Sequence, residues 1–176
     1  ARGGMPTTVT TNLVSAIVIQ PPTTSAVAIL RAAGGGGAPS MAGPTQCSSS
    51  SGMVTLPAPL QADGTALDPS QPIALASTTT LHGGEAAFVR VLDADQDRDP
   101  AAVDYLDVRL STPGGDAETL RISETGANTG IFVGYIQTHA VAVTAGNCVL
   151  EVERNAQIDT FYVDAIDAAD TSSASA

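Results

Sequence analysis

The run of nine residues at 124–132 joins two apolar segments and limits how they can be arranged. Before it, Leu120 and Ile122 alternate with polar residues, a pattern typical of a strand with one buried face. The run contains two glycines and an Asn, which accept positive φ at little cost. Residues 131–136 then predict a second, more buried strand. We therefore expect a compact turn that folds one strand back against the next, in an all-β chain.

Further β-type segments recur along the chain. The clearest is residues 105–110, in which Leu106, Val108 and Leu110 are predicted to face inward. Other predicted strands are residues 7–20, 23–30, 73–81, 85–92, 118–123 and 158–166. Turns every 8 to 12 residues or so, with no helical period, predict an antiparallel β-sandwich of immunoglobulin-like type with an extended N-terminal β segment.

A change in composition suggests a division of the chain near residue 40. The sequence AAGGGGAPSMAGP follows Arg31 and is typical of a flexible linker. We therefore predict an N-terminal extended strand segment with a Gly-rich linker at residues 1–40. The sandwich itself is expected at residues 41–176.

Residues 7–31 are too apolar for a free tail. The residues that share one face of the predicted first strand are Val9, Leu13, Ile17 and Ile19. One interpretation is that this segment supplies strands to its own sandwich. The other is that it is donated to a neighbouring copy, whose open sheet edge it completes. A head-to-tail exchange of this kind does not close and propagates into a fibre.

Charge and composition exclude several classes of function. The chain has no lysine, seven arginines and 18 carboxylates, which give a net charge of −11. An acidic surface repels phosphate backbones, so we expect no nucleic-acid partner. Without lysine, Schiff-base chemistry, P-loop chemistry and Lys–Asn isopeptide cross-links are excluded. No stretch approaches the ~20 apolar residues of a membrane helix, so we expect no membrane span.

Two cysteines, Cys47 and Cys148, are the only sulfur nucleophiles. Neither belongs to a CxxC pair, which argues against a zinc site. In an oxidising compartment they would form a disulfide that closes a loop of about 100 residues. The alternative is two separate buried thiols.

Two motifs in the middle of the chain point to a family. The first is an alternating aspartate loop closed by a proline, formed by Asp93, Asp95, Asp97, Asp99 and Pro100. The second is the E-T-G-A-N-T-G-I-F turn at residues 124–132. Together they resemble a repeated module of very large bacterial surface and secreted proteins, and the likeness covers roughly residues 43–170. The resemblance implies an extracellular or cell-surface, non-catalytic, Ig-like module that serves as a spacer, an adhesive part or a structural repeat.

The aspartate loop is also the densest set of candidate metal ligands. The candidate calcium ligands are Asp93, Asp95, Asp97, Asp99 and Asp104, with Asp116 as a further contributor. Oxygen-rich loops of this kind suit calcium. The loop is not an EF-hand, because Arg98 stands where that motif requires glycine. The alternative is a solvated turn in which the aspartates cap backbone amides and pair with Arg98 or Arg90.

The turn motif itself is expected to be structural. Its key positions are Glu124, Gly126, Asn128 and Gly130. We expect the Glu124 carboxylate to accept hydrogen bonds from the amides of residues 126–128, and Asn128 to take the left-handed conformation.

No sequence pattern indicates an active site. His82 and His139 are far apart in sequence and are expected at the surface. There is no G-x-S-x-G elbow and no H-E-x-x-H motif. We therefore expect a protein that is not an enzyme, with no cofactor except, in one interpretation, calcium.

Two functional hypotheses follow. The first is a structural subunit of an extracellular bacterial filament or surface assembly, joined to other copies of itself by strand donation. The second is a spacer or adhesive module of a giant cell-surface protein, stiffened by calcium and binding an unidentified glycan or protein.

Overall fold

The computed structural model describes residues 21–176, and this part of the chain is almost entirely β. In chain order the strands are β1 (Ala26–Ala32), β2 (Ala38–Ser40), β3 (Gln46–Ser49), β4 (Gly52–Thr55), β5 (Ile73–Ser77), β6 (Ala86–Leu92), β7 (Tyr105–Ser111), β8 (Ala117–Glu124), β9 (Ile131–His139), β10 (Leu150–Glu151), β11 (Asp159–Val163) and β12 (Thr171–Ser175). Two short 3-10 helices lie at Gly34–Gly36 and Ala94–Gln96. The predicted all-β fold is confirmed.

The strands form two layers that are joined where β8 meets β9. β8 pairs with β9 only at Ser123 and Glu124, while Leu120 and Arg121 of the same strand pair with β3. The first layer therefore has the order β4-β3-β8-β7-β11-β12. The second has the order β10-β9-β6-β1-β5-β2. The two layers face each other where β1 packs against β11 and β12, so the architecture is a β-sandwich.

Gly134 of β9 allows the two layers to meet. A Cβ atom at this position would overlap Cγ2 of Ile122 and would lie 2.9 Å from Oγ1 of Thr45. The same Thr45 oxygen accepts a hydrogen bond from the Tyr135 amide at 3.1 Å. The side chain of Thr45 thus satisfies a backbone donor of β9 beyond the short stretch that pairs with β8.

The core lies between the layers and is mainly aliphatic. Leu106, Val108 and Leu110 of β7 are buried and alternate with exposed or half-buried residues, as their spacing predicts. Phe88 of β6 and Tyr135 of β9 supply aromatic bulk, with ring centroids 5.9 Å apart. β6 is buried on both faces over most of its length.

Three segments differ from the sequence predictions. The predicted linker contains the strand β2, and the small polar tail contains the strand β12. β1 lies inside the second layer, between β6 and β5, so the sandwich includes residues on both sides of the predicted boundary at residue 40. The predicted assembly residues, Val9, Leu13, Ile17 and Ile19, lie outside the described part of the chain.

Cys47 and Cys148 form a disulfide bond, with Cα atoms 5.7 Å apart. Cys47 lies on β3 of the first layer. Cys148 lies just before β10, which pairs with β9 of the second layer. The bond therefore ties the two layers together, and the alternative of two free thiols is wrong. Within residues 21–176, no helix combines the length and apolar character that a bilayer crossing requires.

We expect loss of the disulfide to destabilise the fold by about 4–5 kcal/mol, because it closes a loop of about 100 residues in the unfolded chain. Urea unfolding of wild type with and without reductant measures this difference. The double variant Cys47→Ala/Cys148→Ala should match reduced wild type and should not respond to reductant. Equal stability of oxidised and reduced wild type would contradict the expectation.

Candidate functional site

One end of the sandwich carries nine of the 18 acidic residues. β6, β8 and β11 end where β1, β7, β9 and β12 begin. We call this the acidic end, and its carboxylates are Asp93, Asp95, Asp97, Asp99, Asp104, Glu124, Asp164, Asp167 and Asp170. We call the other end of the sandwich the opposite end.

The 3-10 helix Ala94–Gln96 divides the predicted aspartate set. This turn contains Asp95 and directly follows Asp93, and it separates their carboxylates from those that come after it. Asp93 and Asp95 join Asp164 in a first cluster, and Asp97 and Asp104 join Glu124 in a second cluster. Asp99 belongs to neither, since it is exposed and accepts a hydrogen bond from the Ala101 amide at 3.0 Å.

The first cluster is buried and is held by uncharged donors. The Tyr162 hydroxyl donates to Oδ2 of Asp93 at 2.6 Å, and the Thr23 amide donates to Oδ2 of Asp95 at 3.0 Å. The Gln96 side-chain amide and the Ile166 backbone amide both donate to Oδ1 of Asp164. The cluster therefore connects the β6–β7 loop with the end of β11 and with the residues that precede β1.

Burial shifts the ionisation of this cluster. Removal from water raises the pKa of Asp93 to about 7, and the neighbouring Asp95 and Asp164 carboxylates add to the rise. The Tyr162 hydrogen bond opposes it, because it favours the ionised form of Asp93. Burial also raises the pKa of the Tyr162 hydroxyl, with the Asp93 hydrogen bond as the next cause. Near neutral pH, Asp93 is therefore close to the midpoint of its protonation.

The second cluster is built around the turn motif. Oε1 of Glu124 accepts hydrogen bonds from the amides of Thr129 at 2.6 Å and Gly130 at 2.7 Å. The sequence analysis placed these bonds at residues 126–128, so the carboxylate reaches further along the turn than expected. Asn128 has φ of 61° and takes the left-handed conformation. Desolvation and the charges of Glu124, Asp104 and Asp99 raise the pKa of Asp97.

A third carboxylate group lies near the disulfide at the opposite end. Asp116, Glu118 and Glu151 are all buried there. Glu118 accepts hydrogen bonds from the Gly146 and Asn147 amides at 2.8 and 3.1 Å, and Asp116 accepts one from the Glu151 amide at 2.6 Å. Glu151 lies on the two-residue strand β10, and its carboxylate accepts hydrogen bonds from the Thr144 amide and the Asn147 side chain of this loop. These carboxylates hold the segment that carries Cys148.

A large cavity is also at the opposite end. It has a volume of about 690 Å³ and is lined by the β5–β6 and β10–β11 connections and by Ala176. His82 lies at its edge, 3.4 Å from Glu85, which also pairs with Arg31 at 3.1 Å. His139 is exposed at the end of β9. The two histidines thus lie near the same end of the sandwich, and both are at the surface.

Sequence reasoning identified the loop but not the residues that complete each cluster. For Asp164, the sequence offers one local feature: the residue lies near the end of the predicted strand at residues 158–166. Glu124 was assigned only to its own turn. Comparison with known proteins adds no residues: no protein-family model matches the chain, and no curated protein matches it significantly.

We expect Gly130→Ala to destabilise the protein by about 1–3 kcal/mol, because its φ is +59° and a Cβ would lie 2.8 Å from Cα of Ala94. Gly126→Ala is the matched control. A Cβ there would have its nearest neighbour at 3.8 Å, on the side chain of Thr129, so the change should stay within about 0.5 kcal/mol. Chemical denaturation measures both, and equal losses would contradict the assigned turn geometry.

We expect Asp116→Asn to flatten the pH dependence of stability. Burial raises the pKa of Asp116 above its ordinary value of 3.8, with the Glu151 carboxylate as a further cause. The stabilisation it gives is therefore complete below about pH 4 and is lost as the pH rises through the raised pKa, by at most about 1.4 kcal/mol per pH unit.

Urea unfolding from pH 4 to 8 compares the variant with wild type. Asp159→Asn is a control of opposite sign, because hydrogen bonds from Ser175 and Gln157 lower the pKa of Asp159. Its contribution is present above the unfolded pKa and is lost as the pH falls. A wild-type profile parallel to that of Asp116→Asn would rule out the buried, raised-pKa carboxyl.

Proposed function

We propose that this chain is a non-catalytic structural subunit of an extracellular bacterial filament or surface assembly, in which residues 7–20 are donated as a strand to a neighbouring copy. The single observation that carries the proposal is the open edge strand β12.

β12 has the properties of an acceptor edge. It pairs with β11 over five residues, and within the described part of the chain no strand pairs with its other side. Its sequence, TSSAS, contains neither a charged residue nor a proline. Natural edge strands commonly use these residues to prevent pairing with another strand. The half-buried Ser172 and Ala174 are small, so they fill little of the space between the layers. An apolar donated strand would add both hydrogen bonds and side-chain volume there.

The donor and the acceptor are different surfaces of the molecule. The segment before β1 joins the sandwich at the acidic end, where the Thr23 amide donates to Asp95. The acceptor edge runs along β12 from the acidic end to the opposite end, where Ala176 lines the large cavity. A strand that leaves one copy and pairs with β12 of the next therefore makes a heterologous contact. Such contacts propagate into a fibre when the rotation does not close.

The interlayer disulfide supports an extracellular setting, because such bonds persist in oxidising compartments. The second candidate function is a spacer or adhesive module of a larger surface protein. The buried carboxylates of the acidic end favour it, since a cation there would stiffen the junction with whatever precedes β1. In that case residues 7–20 pack on their own sandwich.

Two complementary variants separate donation from packing within one chain. Deletion of residues 1–20 removes the donor and keeps the twelve strands of residues 21–176. Ala174→Lys places a charge on the inner face of β12 and blocks the acceptor. Neither variant should assemble alone, but an equimolar mixture should form a 1:1 heterodimer, measured by size-exclusion chromatography with light scattering.

Ser173→Lys is the matched control, because Ser173 is exposed on the outer face of the same strand. This variant should form filaments like wild type in electron micrographs. A wild-type chain that stays monomeric, or a mixture of the two blocked variants that does not associate, would remove strand donation and leave the spacer module.

A further inference from the structure

Two oxygen atoms in the first carboxylate cluster have no hydrogen-bond partner. They are Oδ1 of Asp95 and Oδ2 of Asp164, and the two residues are only 3% and 1% exposed. A buried carboxylate oxygen without a partner costs free energy, so it indicates a group that is bound in the working protein. The partner oxygen of each carboxylate already accepts hydrogen bonds, from Thr23 in one case and from Gln96 and Ile166 in the other.

The cluster also carries negative charge that no side chain compensates. All of its described donors are uncharged: a hydroxyl of Tyr162 and of Thr23, the Gln96 amide and backbone N–H groups. Arg98 approaches only indirectly, by donating to the oxygen of Gln96. The two side-chain ion pairs of arginine in the described residues involve Glu85 and Asp107, which lie elsewhere. Three carboxylates at this depth repel one another unless a proton or a cation lies between them.

We propose that Asp93, Asp95 and Asp164 bind a calcium ion at the acidic end of the sandwich. Each of the three carboxylates places one oxygen within 4.8 Å of the other two. Ligands of one calcium ion lie 2.3–2.6 Å from it, so any two of them are at most about 5 Å apart. The unpartnered oxygens of Asp95 and Asp164 supply the ligand atoms that hydrogen bonding leaves free.

Calcium fits this site better than magnesium. Magnesium requires near-octahedral geometry and usually retains several waters, whereas calcium accepts carboxylate oxygens in flexible arrangements. Here the ligands come from a loop and from the end of a strand, and their second oxygens are fixed by Tyr162, Thr23 and Gln96. A buried water could bond to the free oxygens, but it would leave the charge uncompensated.

The ion would also hold in place the residues that connect the N-terminal segment to β1. Thr23 donates through its amide to Asp95 and accepts at Oγ1 from the Asp95 amide at 3.2 Å. Just beyond it, the Ser25 amide donates to Asp170 at 2.6 Å. An ion that orders Asp93 and Asp95 therefore also orders the point at which residues 1–20 join the sandwich. The site does not depend on strand donation, and a donated or a self-packed segment would be anchored equally.

Terbium luminescence tests the site in the full-length protein, because Tb³⁺ replaces calcium and is excited by a nearby aromatic ring. The chain has no Trp and three Tyr, and Tyr162 bonds directly to Asp93. We expect tyrosine-sensitised emission that calcium displaces and that Tyr162→Phe largely removes. Tyr105→Phe should retain it, since Tyr105 adjoins Asp104 of the second cluster. Emission lost in Tyr105→Phe and kept in Tyr162→Phe would move the ion to the second cluster and overturn the proposal.

Calcium affinity, measured by calorimetry on chelator-treated protein, tests the ligands. Asp95→Asn and Asp164→Asn should each weaken binding about tenfold or more. The exposed Asp99→Asn, at the same end and with the same change of charge, should bind as wild type does.

The melting temperature separates an ion site from a purely structural cluster. Calcium should raise the melting temperature of wild type, magnesium should have little effect, and Asp164→Asn should lose the calcium response. No binding to wild type at millimolar calcium, or a calcium-induced rise in the melting temperature of Asp164→Asn equal to that of wild type, would overturn the proposal. Assembly is not measured in these experiments, so failure of the filament proposal leaves their outcome unchanged.

Discussion

Buried carboxylates that accept backbone N–H groups hold the loops of this protein in place. Glu124 binds the turn between β8 and β9, and Glu118 binds the segment before Cys148. Asp164 accepts a hydrogen bond from the Ile166 amide, and Asp116 accepts one from the Glu151 amide. Hydrogen bonds to an ionised acceptor are stronger than neutral ones. A chain with few aromatic residues and no lysine thus fixes its connections through its acidic residues.

The sequence was sufficient to predict a strand where that strand carries a clear hydrophobic pattern. The alternation of Leu106, Val108 and Leu110 predicted β7 and its buried face, and the turn glycines predicted the reversal between β8 and β9. β12 was missed because Thr, Ser and Ala carry no hydrophobic pattern, and its strand conformation depends on pairing with β11. The same holds for β2, which pairs with β5 directly after a run of glycines.

The candidate site was only partly predictable. Its aspartates were identified from their spacing, but the 3-10 helix Ala94–Gln96 decides which of them share a cluster. Asp164 is brought to Asp95 by the pairing of β11 with β7, a long-range contact that no local pattern encodes. The burial of Glu151 likewise arises from the short β10 and its neighbour Asp116, which no local pattern encodes.

The disulfide has a mechanical consequence. Cys47 and Cys148 are 101 positions apart, and β3 to β9 lie between them. If the two ends of the chain are pulled apart until the sandwich unfolds, the disulfide bond bears the force. The residues between the two cysteines are then not stretched. Fully stretched, they would have added about 330–360 Å of length. Only the segments outside the link, which contain β1, β2 and β10 to β12, can lengthen under tension, so an oxidised molecule has a short, fixed reach.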